Sequence, residues 1–367
     1  MMAKSYLILE DGTVYEGESF GCATEAFGEV VFTTEECGYQ KSLTDPSYRG
    51  NIVVMTYPLI GNYLIHDEWF QSDRIQAGAV ICKEYCTHPS TMYPGKTFDQ
   101  FLKDHKIPGI TGVDTRDITL RIRDNGTMMC AVTQDEKAIP AIIEKLKSMP
   151  RPDESNLVAE VSRKSIKEYD EGKETTVALL DFGETEATVR ALRMRFNVVA
   201  FPYDTDADTI LNYKLNGKNV KGVHLSNGPG NPAHPAIMEK VVPNVKKLAE
   251  KVPVFGIGLG CQVIALAFGG KTYKMKFGHH GANEPVSFEG RTYITWQNHN
   301  YAVDGKSLEG TGLVADQFNV NDKTVEGIKH TKLPVFATQY QPETTAEPWE
   351  TSMLFDRFAK AVKEGRL

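Results

Sequence analysis

One short segment has the spacing of a covalent catalytic site but lacks its nucleophile. Residues 256–262 read Gly-Ile-Gly-Leu-Gly-Cys-Gln. The pattern predicts a strand over 252–257, a tight glycine-rich turn, and an apolar helix over 261–268. Such a nucleophile elbow presents a reactive side chain at the N-terminus of a helix. The position that should carry that side chain is Gly258, so the scaffold is predicted without its reactive group.

Two further polar segments follow predicted strands. Residues 226–232 read Ser-Asn-Gly-Pro-Gly-Asn-Pro and follow a strand at 222–225, and residues 339–343 read Gln-Tyr-Gln-Pro-Glu and follow a strand at 335–338. In parallel sheets, ligands bind beyond the carboxyl ends of the strands. We therefore expect these two loops and the Gly258 turn to converge on one pocket.

The elements that position these loops belong to the second of two predicted domains. The chain has 367 residues, which is enough for two hydrophobic cores. Residues 1–150 are predicted to form a mixed α/β domain, which opens with a hairpin around Glu10-Asp11-Gly12-Thr13. Residues 151–175 have the proline-containing and charged composition of a linker. Further strands in the first domain are predicted at 29–34 and 51–57, and helices at 97–105 and 116–125.

In the second domain, residues 176–367, short apolar strands alternate with helices. This alternation predicts an α/β fold with a largely parallel sheet covered by helices on both faces. The strands are predicted at 177–180, 197–201, 222–225 and 253–257, and the helices at 185–195, 207–213 and 236–251.

Composition narrows the functional classes. A net charge of −7 and a pI near 5.8 argue against a nucleic-acid binder. No apolar run has the length of a signal peptide or a membrane span. Six scattered cysteines favour a reducing cytoplasm over a disulfide framework. Cys82, Cys86 and His88 lack the further ligands of a zinc site, so we predict no metal.

Several segments together resemble the class I glutamine amidotransferases, and more narrowly the small subunit of carbamoyl phosphate synthetase. In the first of these families an elbow supplies a cysteine, and a His-Pro-Glu segment supplies its base and orienting acid. The similarity to the small subunit extends over nearly the whole chain. The segments that carry it are 44–48, 56–62, 112–119, 181–183, 274–281 and 297–299.

The resemblance implies a catalytic triad, of which two members are missing. The nucleophile falls on Gly258, the base on Gln341 and the orienting carboxylate on Glu343. Family members hydrolyse glutamine through a thiolate and a histidine base. Glycine has no nucleophile and a glutamine side chain cannot act as the base. Loss of a nucleophile alone removes on the order of a million-fold in turnover, so we predict no glutaminase activity by this mechanism.

The glutamine-binding positions are largely kept. By resemblance, Ser47 and the backbones of Gly228, Gly230 and Leu259 line the glutamine site, and Gln262 and Asn298 add polar contacts. Two departures adjoin them, because the family has Gly-Phe where this chain has Asn300 and Tyr301. A side chain at Asn300 is expected to narrow the pocket or to require an unusual backbone conformation. Thr185 and Ala187 stand where the family has Lys and Asn.

The leading hypothesis is a glutaminase-deficient small subunit that binds and shapes a large subunit, which then uses free ammonia. The resemblance implies ATP and Mg²⁺ only for that large subunit, and no cofactor here. It is compatible with either arginine or pyrimidine biosynthesis.

One alternative is a glutamine-binding sensor. Another is an active glutaminase with a relocated nucleophile such as Cys261, although three residues along a helix turn its thiol away from the elbow position. His279, His280 and His299 are candidate substitute bases, for which a structural role is the simpler interpretation. Asp114 or Thr115 is predicted to cap a helix, with Arg116 as a candidate for the subunit interface.

Overall fold

The computed structural model describes residues 3–92, 94–343 and 351–366. The chain divides into two compact units. The first comprises residues 1–155 together with 276–281, and the second comprises residues 156–275 and 282–367. No helix among the described residues has the length and apolar character needed to span a membrane.

The elements follow one another along the chain with these bounds. The strands are β1 (Lys4–Leu9), β2 (Val14–Gly21), β3 (Ala26–Thr33), β4 (Asn51–Met55), β5 (Leu59–Ile60), β6 (Ala79–Ile81), β7 (Glu84–Tyr85), β8 (Pro108–Thr111), β9 (Met128–Thr133), β10 (Lys167–Tyr169), β11 (Thr176–Asp181), β12 (Asn197–Pro202), β13 (Lys214–Leu215), β14 (Lys218–Leu225), β15 (Val254–Ile257), β16 (Thr272–Phe288), β17 (Arg291–Val303), β18 (Leu313–Asn319), β19 (Val325–His330) and β20 (Val335–Thr338). The helices are α1 (Tyr39–Thr44), α2 (Phe98–Asp104), α3 (Thr115–Asn125), α4 (Ile139–Ser148), α5 (Leu157–Val161), α6 (Glu186–Arg193), α7 (Ala207–Asn212), α8 (Pro235–Lys240), α9 (Val242–Ala249), α10 (Leu259–Ala267) and α11 (Met353–Glu364).

The first unit is built on a closed barrel in the order β1-β2-β8-β6-β4-β3-β9. The predicted hairpin is confirmed, with β1 and β2 antiparallel and Ile8 paired to Val14. Closure depends on a pairing distant in sequence, that of β1 with β9. Aliphatic side chains from the strands, among them Leu7, Val30 and Ile52, fill the interior. Helix α3 begins at the Asp114 cap, whose carboxylate accepts from the backbone N–H of Arg116 at 3.1 Å and of Asp117 at 3.0 Å.

The second unit confirms the largely parallel sheet at its centre. Strands β12, β11, β14, β15 and β20 lie side by side and run parallel. Antiparallel strands extend both edges into an eleven-stranded sheet. One apolar cluster joins side chains of β11 and β14 to those of α9 and α10, and a separate one joins side chains of β11 and β12 to those of α6 and α11. The helices therefore bury the strands of the parallel region as the alternating pattern requires.

Three details differ from the sequence-based prediction. The segment 151–175 is more than a linker, because its residues from Asn156 onward belong to the second unit and β10 pairs antiparallel with β12. Residues 276–281 group with the first unit. The single helix predicted over 236–251 is two helices, α8 and α9, because Pro243 has no backbone N–H and is tolerated only in a first helical turn.

Candidate functional site

The three strand-end loops converge as predicted. Strands β14, β15 and β20 are consecutive neighbours in the sheet, with Leu225 paired to Gly256 and Ile257 paired to Thr338. Backbone hydrogen bonds then join the loops beyond the strand ends. The N–H of Gly258 donates to the carbonyl of Thr338 at 2.9 Å, and the N–H of Gly260 donates to the carbonyl of Ser226 at 3.1 Å. The carboxyl edge of the sheet is therefore a connected backbone framework.

The elbow keeps its sharp turn. Gly258 has φ 55° and ψ −112°, a conformation that residues with a side chain rarely adopt, and it caps the N-terminus of α10. The strand, turn and helix expected of a nucleophile elbow are all present. Because glycine adopts this conformation without steric cost, the strain that a nucleophile would experience there is absent.

Close backbone approach explains the glycines that flank the elbow. A Cβ on Gly228 would lie 2.2 Å from the carbonyl oxygen of Phe182, and a Cβ on Gly260 would lie 2.4 Å from that of Leu225. Neither obstacle is a flexible side chain. Gly230 instead has a φ of 88°, which favours glycine on conformational grounds. The predicted lining backbone at Gly228 and Gly230 thus depends on glycine for two different reasons.

Asn227 fills the space beside the elbow. Its side chain is buried, and its Oδ1 accepts a hydrogen bond from the backbone N–H of Leu259 at 3.0 Å. A Cβ on Gly258 would lie 1.9 Å from that Oδ1 and 2.4 Å from the Asn227 Cγ. Any side chain at position 258 therefore requires Asn227 to move. Sequence reasoning placed Asn227 in a strand-end loop but gave no sign of this contact.

The third loop carries Gln341 and Glu343, which the sequence analysis placed at the positions of the base and the orienting carboxylate. Gln341 is buried, and its backbone N–H donates to the carbonyl of Trp296 at 2.9 Å. The Glu343 carboxylate accepts from Thr188 Oγ1 at 2.6 Å and from Thr185 Oγ1 at 3.5 Å. Thr185 also caps α6. The Glu343 carboxylate is thus held by hydroxyl groups at the start of that helix.

The polar residues of α10 and β17 that were predicted to contact glutamine make contacts within the protein. Gln262 is buried, and its Nε2 donates to the Tyr301 carbonyl at 2.7 Å and to Gln339 Oε1 at 3.1 Å. Asn298 is buried in β17, and Asn300 is partly exposed in the same strand. Of the described residues, four that are not glycine have positive φ, and Asn300 is not among them. The unusual backbone considered for Asn300 is therefore not required.

Ser47 lies in the first unit, in the short helical turn that follows Asp45. Its backbone N–H donates to Asp45 Oδ1 at 2.9 Å. Its Oγ is buried and has no hydrogen-bond partner within the part of the chain that the structure describes. Its predicted contact with glutamine stays a prediction.

Cys261 does not have the surroundings of a nucleophile. The residue is fully buried in the apolar cluster that packs α10 against the sheet. Burial raises the pKa of its thiol well above the ordinary range, and the nearby carboxylates of Glu326 and Asp316 raise it further. Since the thiolate is the reactive form, the structure does not support Cys261 as a relocated nucleophile.

The candidate histidine bases are built into the fold. His299 contacts the Tyr301 carbonyl through Nδ1 and Gln297 Oε1 through Nε2, both at 2.8 Å. His279 and His280 are buried in β16, and the ring of His280 stacks on Tyr48 with centroids 5.7 Å apart. Because both ring nitrogens of His299 already have partners, a structural role is the simpler interpretation of this residue.

A largely buried ionic cluster near the first loop was missed by the sequence analysis. Arg163 contacts Glu184 and also Asp181, with Nε 3.2 Å from the Asp181 Oδ2. Asp181 Oδ1 accepts from the backbone N–H groups of Gly183 and Glu184, both at 2.9 Å. The cluster fixes the turn whose Phe182 carbonyl approaches Gly228. Arg163 lies in the segment predicted as a linker, so its sequence context gave no signal for this role.

Comparison with known proteins decides the family. Residues 7–132 match the model of the carbamoyl-phosphate synthase small chain, CPSase domain, and residues 178–361 match glutamine amidotransferase class-I. The chain belongs to the carbamoyl phosphate synthase small chain family. The expected resemblance and fold class are both confirmed.

Curated relatives extend over the full chain. A carbamoyl phosphate synthase small chain from Staphylococcus haemolyticus is 44% identical, covering 99% of this chain and 97% of its own length. One from Archaeoglobus fulgidus is 42% identical, covering 99% and 100%, and one from Clostridium acetobutylicum is 45% identical, covering 97% and 99%. A solved structure of a glutamine amidotransferase from Thermotoga maritima is 13% identical with a TM-score of 0.37, covering 52% of this chain and 86% of that one.

Proposed function

We propose that this member of the family does not hydrolyse glutamine and serves as a structural or regulatory subunit of an ammonia-using synthetase. One observation carries the proposal: the elbow turn at Gly258 is kept, but no side chain is present there to attack an amide. Gln341, at the position of the base, lacks the proton-accepting group that glutamine hydrolysis needs.

The rest of the site supports this interpretation. Nucleophile and base act as one unit, so restoring either alone should recover little activity. Cys261, the nearest thiol along the chain, is buried in the apolar core and holds its proton firmly. The backbone framework joining the three loops remains, which is what a subunit needs to keep its fold.

The partner we propose is a carbamoyl phosphate synthase large subunit. Membership of the small chain family is the support for this partner. The ATP and Mg²⁺ of the synthetase reaction would belong to the large subunit, and this chain would contribute no cofactor. Arg116, exposed near the start of α3, stays a candidate for the subunit interface.

The test uses the full chain assembled with a large subunit. We expect carbamoyl phosphate synthesis from ammonium and none above background from glutamine. Glutamine-dependent synthesis at a rate comparable to the ammonium rate would refute the proposal. Because the ammonium reaction bypasses glutamine hydrolysis, it also shows whether the complex is assembled.

Restoring the missing groups is the matched positive control. The double variant Gly258→Cys with Gln341→His should gain measurable glutaminase activity, whereas each single variant should stay within about tenfold of background because the residues act as a unit. The ammonium-dependent rate should not change in any of the three.

A second candidate function is the binding of glutamine without hydrolysis. The glycine-dependent backbone at Gly228 and Gly230 supports it, because these positions would bind glutamine through main-chain groups and would not need the triad. Calorimetric titration of the complex with L-glutamine tests it, and an absence of heat at millimolar ligand would exclude it.

A further inference from the structure

The Asn227 carboxamide accepts a hydrogen bond from the first backbone N–H of α10. Leu259 is the first residue of α10, and its backbone N–H therefore has no partner within the helix. In elbow enzymes, the N–H of the residue after the nucleophile stabilises the oxygen of the reacting carbonyl. Here that N–H donates to Asn227 Oδ1 at 3.0 Å.

The same carboxamide also fills the volume next to the missing nucleophile. The 1.9 Å separation between Asn227 Oδ1 and a Cβ built on Gly258 is far below van der Waals contact. The present position of Asn227 and a side chain at residue 258 are therefore mutually exclusive. The glycine at residue 258 is what allows the carboxamide to lie there.

The chemistry of the group matches that of the family's substrate. Asparagine and glutamine side chains both end in a primary carboxamide, with one carbonyl acceptor and one NH₂ donor. We propose that Asn227 acts as a built-in mimic of the substrate amide, so that glutamine must displace it to bind. This inference rests on the proposed function, since it concerns a site that binds without cleaving.

The mimic is held weakly enough to be displaced. Its Nδ2 is buried and has no hydrogen-bond acceptor among the residues that the structure describes. A buried donor without a partner offsets much of what one neutral hydrogen bond to Leu259 contributes. Rotation of Asn227 away from Leu259 would break this one neutral hydrogen bond and free the Leu259 N–H for an incoming amide.

The experiment is calorimetric titration of the full chain with L-glutamine, comparing wild type with Asn227→Ala. Removing the competing carboxamide should tighten glutamine binding about tenfold, the equivalent of one net hydrogen bond. Asn227→Asp, which keeps an acceptor for the Leu259 N–H, should bind no more tightly than wild type. Asn231→Ala is the matched control, because Asn231 lies in the same loop and its side chain accepts from the Ala233 N–H at 2.9 Å instead of from Leu259. The affinity of this variant for glutamine should not change.

A second route tests the same inference without altering Asn227. Gly258→Ala adds a Cβ that must push the carboxamide aside, so it should also tighten glutamine binding. Equal or weaker binding by both Asn227→Ala and Gly258→Ala would overturn the inference, as would the absence of binding by every variant at millimolar glutamine. These results would leave the proposed lack of hydrolysis intact. Glutamine hydrolysis by the wild-type complex would instead refute the proposed function.

Discussion

The carboxyl ends of β15 and β20 adjoin in the sheet, yet the loops that follow them are held in different ways. At the end of β15, Gly258 keeps the backbone turn, with φ 55° and ψ −112°, and has no side chain. At the end of β20, the Glu343 carboxylate accepts a hydrogen bond from Thr188 at 2.6 Å, and Gln341 occupies the position predicted for the base. One region preserves conformation and the other preserves a side-chain contact.

The difference shows which features the fold itself requires. The turn at Gly258 joins two neighbouring loops through backbone hydrogen bonds, from Gly258 to Thr338 and, two residues later, from Gly260 to Ser226. The carboxylate of Glu343 satisfies hydroxyl groups at the start of α6. Both sets of contacts are made by groups present in this chain, so neither a thiol at residue 258 nor an imidazole at residue 341 is needed to hold these loops.

The largest expected effect is on the loop backbone itself. Gly228→Ala would place a Cβ 2.2 Å from the Phe182 carbonyl, and overpacking against backbone should cost about 3 kcal/mol of unfolding free energy. Urea unfolding measures the loss. Gly78→Ala is the control, because its nearest Cβ contact is 3.4 Å and the cost should stay below about 1 kcal/mol. Equal losses in the two variants would show that the loop backbone is free to shift.

A substitution at the Gly258 elbow should cost less unfolding free energy than Gly228→Ala. Gly258→Ala imposes a φ of 55° on a residue with a side chain, which should cost about 2 kcal/mol. Gly290→Ala has a φ of 77° but no atom within 4 Å of the new Cβ, so it should cost about 1 kcal/mol. Both variants impose backbone strain, but of the two Gly258→Ala alone also displaces Asn227. The difference between their denaturation midpoints therefore measures the cost of that displacement. A stabilised Gly258→Ala protein would contradict the described turn.

At the end of β20, the hydrogen bond from Thr188 to Glu343 can be removed with little change in side-chain volume. Thr188→Val deletes the hydroxyl that donates to Glu343, and loss of a hydrogen bond to a buried carboxylate should cost about 1.5 kcal/mol. Thr188→Ser keeps the hydroxyl and should lose less. If valine and serine variants unfold at the same urea concentration, the hydrogen bond does not stabilise this loop.

Taken per pH unit, the smallest expected effect concerns a buried carboxyl outside these loops, and it provides a contrast with Glu343. Burial raises the pKa of Glu35 in the first unit to about 8, despite its hydrogen bond with Ser42. The folded protein therefore binds a proton that the unfolded chain, with a pKa of 4.5, releases. This contribution to stability is fully present below pH 4.5 and is lost as the pH rises towards 8, by at most about 1.4 kcal/mol per pH unit.

Glu35→Gln removes the titrating group and should flatten the dependence of stability on pH over that window. Urea unfolding at pH 5, 6.5 and 8 measures the slope. Glu36→Gln, at the exposed neighbouring residue, is the control and should keep the wild-type slope. An unchanged slope in Glu35→Gln would show that this carboxyl is ionised in the folded protein.

The sequence predicted the central elements well because their signals are local. Apolar runs of strand length ending in glycine-rich or polar turns located β14, β15 and β20, and their order implied three loops at one edge of a sheet. The helix predicted over 236–251 was wrong because Pro243 divides it. A linker was expected around Arg163, whose ion pairs are instead buried.

The amino-acid sequence alone determined the family, the two-part organisation and the absence of a side chain at Gly258, because these depend on residue identity and local pattern. Only the tertiary structure decided what occupies the vacated space. The Asn227 carboxamide reaches the Leu259 N–H because β14 and β15 pair in the register that sets Leu225 against Gly256. Such a contact depends on strands brought together across the chain, and no local pattern around either residue encodes it.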